Sequence, residues 1–217
     1  MKSIKIILTG ATGMVGEGIL MECLENPEIS EILSVSRKPS GKKHAKLKEY
    51  IVSDFLELDI NDDHFKGYDA VFFCAGASSM GMNEEDYTKV TFDTTLHFAK
   101  AVLRHNPDMV FNYVSGVYTD KTESGKMMWA RVKGRTENAL RKLGFRAAYN
   151  FRPGFMKPVE GQEHVKWFFK PFIWIFPIVL PSKSLTLREV GKAMINAVQK
   201  GYPVSTLEIK DIKNLAI

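Results

Sequence analysis

The residues with the clearest chemical purpose are the glycines of Thr9-Gly10-Ala11-Thr12-Gly13-Met14-Val15-Gly16, which lie between the apolar run Ile4 to Leu8 and the start of a helical pattern. A strand that turns through glycines into a helix leaves the first backbone N–H groups of that helix unpaired and directs its positive dipole end at the turn. That is an anion site, and a nucleotide diphosphate is the anion it suits. Each glycine answers a different demand. Gly10 permits a tight turn off the strand, Gly13 lets the backbone approach a diphosphate without a Cβ in the way, and Gly16 lets the helix lie close. The backbone from Gly10 to Val15, with Thr12 and Met14, is the expected grip.

A second group stands at the end of the next apolar run, Ser34-Val35-Ser36-Arg37-Lys38-Pro39. In a dinucleotide-binding βαβ unit this position meets the adenosine ribose. A carboxylate there bonds the 2′-hydroxyl, whereas a cation accommodates the 2′-phosphate of NADP. Arg37 and Lys38 stand where a carboxylate is missing, and a guanidinium can pair with a phosphate in bidentate fashion. NADP is therefore expected ahead of NAD.

These groups need elements to position them. Strands are expected at Ile4 to Leu8, Glu31 to Val35, Tyr50 to Ser53, Ala70 to Cys74, Met109 to Val114 and Arg146 to Asn150, with a short one near Thr206 to Ile209. Helical periodicity marks Met14 to Leu24, Glu84 to Leu103, Met127 to Leu143 and Leu187 to Gln199, the last with Thr186 as its cap. Strands alternating with helices imply right-handed crossovers and a parallel sheet covered on both faces; the unbroken apolar run AVFFCA suits such a sheet. The expected fold class is α/β, a doubly wound parallel sheet of Rossmann type with a small C-terminal, substrate-side elaboration. Residues 1–217 are read as a single domain, its length and 45% hydrophobic content sufficing for one core. Residues 153–183 hold five of the nine prolines and are read as a lid or substrate-side subdomain.

The stretches TGATGMVG, SRKPS, FCAGASSMG, FNYVSG, VKGRTENAL, NFRPGFM and REVGKAMINAV run through nearly the whole chain in this order. Together they resemble the extended and atypical short-chain dehydrogenases, the NAD-dependent epimerase/dehydratase-like proteins. The likeness is greatest to the Tat-interacting-protein branch and to small bacterial nucleoside-diphosphate-sugar epimerase-like proteins. The resemblance implies an NADP(H) site built from Gly10, Thr12, Gly13, Met14, Val15, Arg37, Lys38 and Lys133. It adds Asp54 and Phe55 at the adenine edge, Cys74, Ala75 and Gly76 beneath the ribose, and Arg152, Pro153 and Gly154 toward the nicotinamide.

Members of this superfamily use a Tyr-x-x-x-Lys pair, one helical turn apart, in which the Lys lowers the phenol's pKa so that it exchanges a proton near neutrality. A Ser at the end of the fifth strand orients the substrate oxygen. Ser115 and Lys133 match, but the position four residues before Lys133 is Trp129. An indole N–H is only a donor and cannot shuttle protons. Tyr118, in the loop after Ser115, is the alternative acid. The expectation is an oxidoreductase or epimerase-like enzyme acting on a small molecule; the competing one is a non-catalytic NADP(H)-binding regulator working through protein partners.

The net charge of +5 is mild and spread out, so nucleic acid is not an expected partner. Cys23 and Cys74 lack metal-ligand spacing; two free thiols, no metal and a cytoplasmic chain without a leader are expected. The run from His164 to Leu180 carries six aromatics broken by lysines and prolines. It is too interrupted to span a bilayer and is read as a cap over the nicotinamide pocket or part of a dimer interface. Contact with a membrane surface through Trp and Phe is the sharper alternative. The resemblance also makes the helices at 84–103 and 127–143 candidates for pairing across a two-fold axis into a homodimer.

Overall fold

The computed structural model describes residues 3–165 and 184–217. Its centre is a sheet of seven strands, all paired in parallel: β1 (Ile4–Thr9), β2 (Ile29–Ser36), β3 (Leu47–Ile51), β4 (Ala70–Phe73), β5 (Val110–Val114), β6 (Ala147–Phe151) and β9 (Thr206–Leu207). The order is β3-β2-β1-β4-β5-β6-β9, so the winding reverses between β1 and β4. The chain is thus an α/β protein of Rossmann type. Ligands of such sheets bind beyond the carboxyl ends of the strands at the point of reversal, and the glycine turn begins there.

Alternation along the buried strands sends side chains to two cores. Ile6, Leu8, Ala70, Phe72, Tyr149 and Phe151 pack against α1 (Met14–Glu25) and the later helices α5 (Leu187–Lys200) and α6 (Ile209–Leu215). Ile7, Val35, Val71, Phe73, Phe111 and Tyr113 form the other core with Phe98, Val102 and Leu140. Those last three come from α3 (Thr94–His105) and α4 (Met128–Arg141). Among the described residues no helix is long and apolar enough to cross a membrane.

Several elements differ from the sequence expectation. The helix expected over 84–103 is three pieces: α2 (Glu84–Thr88), a π-helical turn (Lys89–Asp93) and α3. The Thr94 and Thr95 hydroxyls donate to the carbonyls of Lys89 and Thr91, competing with the regular backbone ladder. The third strand runs Leu47–Ile51 instead of 50–53, because the chain leaves the sheet ahead of Asp54, whose side chain caps the 3₁₀ turn Phe55–Glu57. The last strand is two residues long, and Glu208 and Asp211 start the helix α6 with a reciprocal capping box. Thr186 caps α5 as expected, also in a capping box with Glu189. A second small sheet pairs β7 (Phe155–Lys157) with β8 (Ser184–Thr186) in parallel. Residues 166–183, most of the expected lid and nearly all of the aromatic run read as a cap or membrane contact, lie outside the described residues.

After β7 the chain crosses back to α1. Gln162 closes its own turn by accepting the Val159 N–H at 2.6 Å, and its Nε2 donates to the Met14 carbonyl at 2.7 Å. Fully buried Glu17 accepts the backbone N–H groups of Glu163 and His164 at 2.9 and 2.8 Å, and Lys42 Nζ lies 3.1 Å from it. Burial alone would raise the Glu17 pKa, but these bonds outweigh it and bring it down to about 2. The stability so contributed is fully present above the unfolded-state pKa near 4.5 and is lost as pH falls toward 2. Glu17→Gln, which keeps the shape but not the charge, should lower stability by about 2 kcal/mol at pH 7. It should also flatten the acid limb of a denaturation-against-pH profile between pH 5 and pH 2, roughly the range linkage predicts. An unchanged acid limb would show that Glu17 does not hold this crossing segment.

Candidate functional site

The glycine turn is built by close backbone approaches. Gly10 has φ +78°, and a Cβ on it would stand 2.7 Å from the Ala75 nitrogen and the Cys74 carbonyl carbon. A Cβ on Gly16 would stand 2.1 Å from the Gly10 carbonyl oxygen, so the first turn of α1 presses on the glycine turn itself, not only on the sheet. Gly13 differs: its nearest neighbour would be 3.5 Å away, an ordinary contact, and its φ of −116° suits any residue. Nothing among the described residues demands glycine there. The Gly13 N–H donates to the Gly10 carbonyl at 2.9 Å, and no side chain caps α1. The N–H groups of Met14, Val15 and Gly16 therefore have no helical acceptor.

One anchor went unread in the sequence. Thr9, fully buried at the end of β1, accepts the N–H groups of Cys74 and Ala75 at 3.2 and 3.1 Å. It thereby fastens the Cys74-Ala75-Gly76 turn beside the glycine turn across the point of reversal. A strand-end threonine is an ordinary residue, and only the pairing of β1 with β4 reveals its role.

The two turns border a cleft of about 710 Å³ that Gly10, Thr12, Gly13, Arg37, Lys38, Cys74, Ala75 and Gly76 line, together with Ser36, Phe55 and His164. A second cavity of about 430 Å³ shares Arg37, Phe55, Ala75 and Gly76 with it and extends past Asp54 to Met82 and Lys89. Ser36 donates to the Lys38 carbonyl at 2.6 Å, folding the strand end so that Arg37 and Lys38 stand exposed at the cleft. Arg37 has no ion pair among the described residues. Asp54 spends one oxygen on the Leu56 N–H at 2.9 Å. Burial pushes the Cys74 thiol well above its usual range, so it lines the cleft as a neutral thiol. Met14 and Val15 sit half-buried at the start of α1 without lining the cleft.

The residues expected at the chemical centre are placed less simply. Ser115 follows β5, is 5% exposed, and donates its hydroxyl to Glu137 Oε1 at 2.6 Å. Lys133 and Glu137 lie one turn apart on α4. The Lys133 ammonium donates to the Ser115 carbonyl; burial lowers its pKa while the Glu137 charge opposes that shift. Glu137 also takes both ends of Arg152, Nε to Oε1 at 2.9 Å and a terminal nitrogen to Oε2 at 2.5 Å. Arg152 reaches on to Glu208 at 3.2 Å. Arg152 is thus engaged with carboxylates, not with the cleft, while buried Pro153 and half-buried Gly154 form the turn into β7. The sequence reading did not assign Glu137, although the stretch VKGRTENAL contains it. Trp129 is half-buried one turn before Lys133. Tyr113 is buried, which drives its phenol pKa far up. Tyr118 is 75% exposed, has φ +64°, and is not among the residues lining the cleft.

Known proteins share both the sequence and the shape. The model of the NAD dependent epimerase/dehydratase family matches residues 6–142. Protein HTATIP2 of Rattus norvegicus is 26% identical over 159 residues, 72% of this chain and 64% of that protein. Protein fmp52, mitochondrial, of Emericella nidulans is 28% identical over 207 residues, 88% of this chain and 86% of that one. A UDP-glucuronic acid 4-epimerase from Bacillus cereus, solved with UDP-glucuronic acid and NAD, superposes with a TM-score of 0.68 at 13% identity. That superposition covers 95% of this chain and 77% of the epimerase.

The Ser115–Glu137–Arg152 network supports one stability test. Glu137→Ala would strand a buried guanidinium and a buried hydroxyl, at a cost of about 3–5 kcal/mol. A denaturant midpoint within error of the unaltered protein would show that the network carries no stability.

Proposed function

Since this chain belongs to the NAD-dependent epimerase/dehydratase family, whose members bind NAD(P), we propose that it binds NADP(H) and acts as an oxidoreductase or epimerase-like enzyme on a small molecule. The observation that carries the NADP reading is Arg37, exposed and without an ion pair among the described residues, on the same cleft as the glycine turn. The fit to a dinucleotide is physical. The free N–H groups at the start of α1 suit a diphosphate, and Gly13 leaves open the volume that a Cβ would take. Arg37 and Lys38 suit the 2′-phosphate, and the shared cavity past Asp54 and Phe55 suits the adenine. When bound, the nicotinamide supplies or accepts a hydride.

In this reading Lys133 holds the ribose on the nicotinamide side, and Ser115 receives the substrate oxygen. Because the Ser115 proton is already donated to Glu137, its oxygen is set to accept, which suits a substrate hydroxyl. Tyr118 is the assigned acid. It follows Ser115 by three residues, is exposed, and is held in a left-handed backbone conformation that non-glycine residues adopt rarely. The second reading, a non-catalytic NADP(H)-binding regulator, draws on Trp129 in the tyrosine's place and on the burial of Ser115. The two unpaired thiols suit a reducing compartment such as the cytoplasm, and the name of the Emericella nidulans relative raises the mitochondrion as a second location.

Three measurements test this. Calorimetry should find NADPH bound at least tenfold more tightly than NADH, with Arg37→Ala removing the difference, since a charged hydrogen bond to phosphate is worth about 1.5–3 kcal/mol. Equal affinities would refute the NADP preference. Gly13→Ala should melt close to the unaltered protein yet lose dinucleotide binding. NADPH absorbance should fall on mixing with a panel of carbonyl compounds, and Tyr118→Phe should slow that turnover at least tenfold, about the loss of one general acid. No bleaching with any of them favours the regulator, and an undiminished Tyr118→Phe rate removes Tyr118 from the assignment.

A further inference from the structure

We propose that His164 is a direct ligand of the dinucleotide's diphosphate, delivered to the glycine turn by the segment that crosses from β7 onto α1. The inference rests on the dinucleotide reading above and adds a residue that lies outside the glycine motif, nearly 150 positions further along the chain.

His164 lines the same cleft as Gly10, Thr12 and Gly13, with its ring about one-third exposed. Its backbone is fixed at the first turn of α1: Glu17 accepts the N–H groups of Glu163 and His164, and Gln162 Nε2 donates to the Met14 carbonyl. The segment is therefore seated on the first turn of α1, directly after the cleft-lining residues Gly10, Thr12 and Gly13. The side chain is held more loosely. Its Nδ1 lies 3.1 Å from Glu17 Oε2, yet without the geometry of a hydrogen bond to it or to any described residue. The carboxylate lies beside the ring without taking a hydrogen bond from it.

The chemistry explains why a basic ring belongs there. Glu17 places a carboxylate, lowered in pKa and so ionised at neutral pH, close to a site read as binding an anion. Lys42 meets it from one side, 3.1 Å from Glu17 and 2.8 Å from Glu163. A histidine ring set between a carboxylate and a diphosphate keeps the two anions apart and has a ring N–H to offer the phosphate oxygens. Glu17 is then a positioning residue, and His164 the group that touches the ligand.

The test compares three probes on the purified protein by calorimetry: NADPH, NADH and adenosine 2′-monophosphate, which carries no diphosphate. His164→Ala should weaken NADPH and NADH by the same factor, about tenfold for one charge-assisted bond, and leave adenosine 2′-monophosphate unchanged. Arg37→Ala should do the reverse, weakening NADPH and adenosine 2′-monophosphate and sparing NADH. His164→Lys, which retains a cation, should recover much of the lost affinity. Affinities of His164→Ala within twofold of the unaltered protein for both dinucleotides would overturn the proposal. So would an equal loss for all three probes, which marks general loosening of the segment. If the unaltered protein binds neither dinucleotide, the reading under the proposed function fails first, and that result is distinct from either outcome here.

Discussion

The approach of Gly16 to the Gly10 carbonyl is the constraint on which the site depends. With no Cβ between them, the first turn of α1 can rest on the turn that leaves β1. This places the unpaired N–H groups of α1 at the carboxyl edge of the sheet instead of several ångströms away. Thr9 completes the arrangement by tying the Cys74–Ala75 backbone to the end of β1, so both lips of the cleft are fixed to the central strand pair. An anion site made from backbone depends on such rigidity, because its donors cannot swing toward a ligand as side chains can.

A second layer of organisation lies on the far side of the sheet's carboxyl edge. Glu137 collects the Ser115 hydroxyl and one edge of the Arg152 guanidinium, while Lys133, one turn earlier on α4, meets the Ser115 carbonyl. A buried carboxylate with these partners orients Ser115 and ties β5, β6 and α4 together at the place where chemistry is expected. Removing one partner costs more than the pair contributes in net terms, since the other charge stays buried. The substitution of Trp129 for the expected phenol leaves this frame intact and moves the question of the acid onto the loop that carries Tyr118.

The crossing segment near residues 159–164 joins these layers to the C-terminal half. It fastens to α1 through Glu17 and Gln162, and α5 packs on the same helix, with Arg188 meeting Glu22 and Glu25 at 3.1 and 2.5 Å. The single helix α1 therefore supplies the N-terminus that follows the glycine turn, the seat of the crossing segment and the contact with α5. Changes in any one of these should be felt at the others through short, directed contacts.

Much of the architecture was legible in the residues themselves. Apolar runs fully buried on both faces, glycines between strand and helix, and cations at the end of β2 are local features, and local sterics and solvation determine what they can form. The same locality explains where reading failed. The π-helical turn, the shift of β3 and the short helix α6 depend on which hydroxyl or carboxylate captures a neighbouring backbone group, a competition that periodicity does not reveal. The roles of Thr9, Glu17, Glu137 and His164 were out of reach for a further reason: their partners lie from 15 to nearly 150 positions away in the chain. Sequence by itself determined the sheet, the glycine turn and the cations at the end of β2, because each follows from neighbours along the chain. Only the tertiary structure decided which buried carboxylate holds Ser115 and which distant segment borders the cleft, because burial turns a weak surface attraction into a bond that must be made.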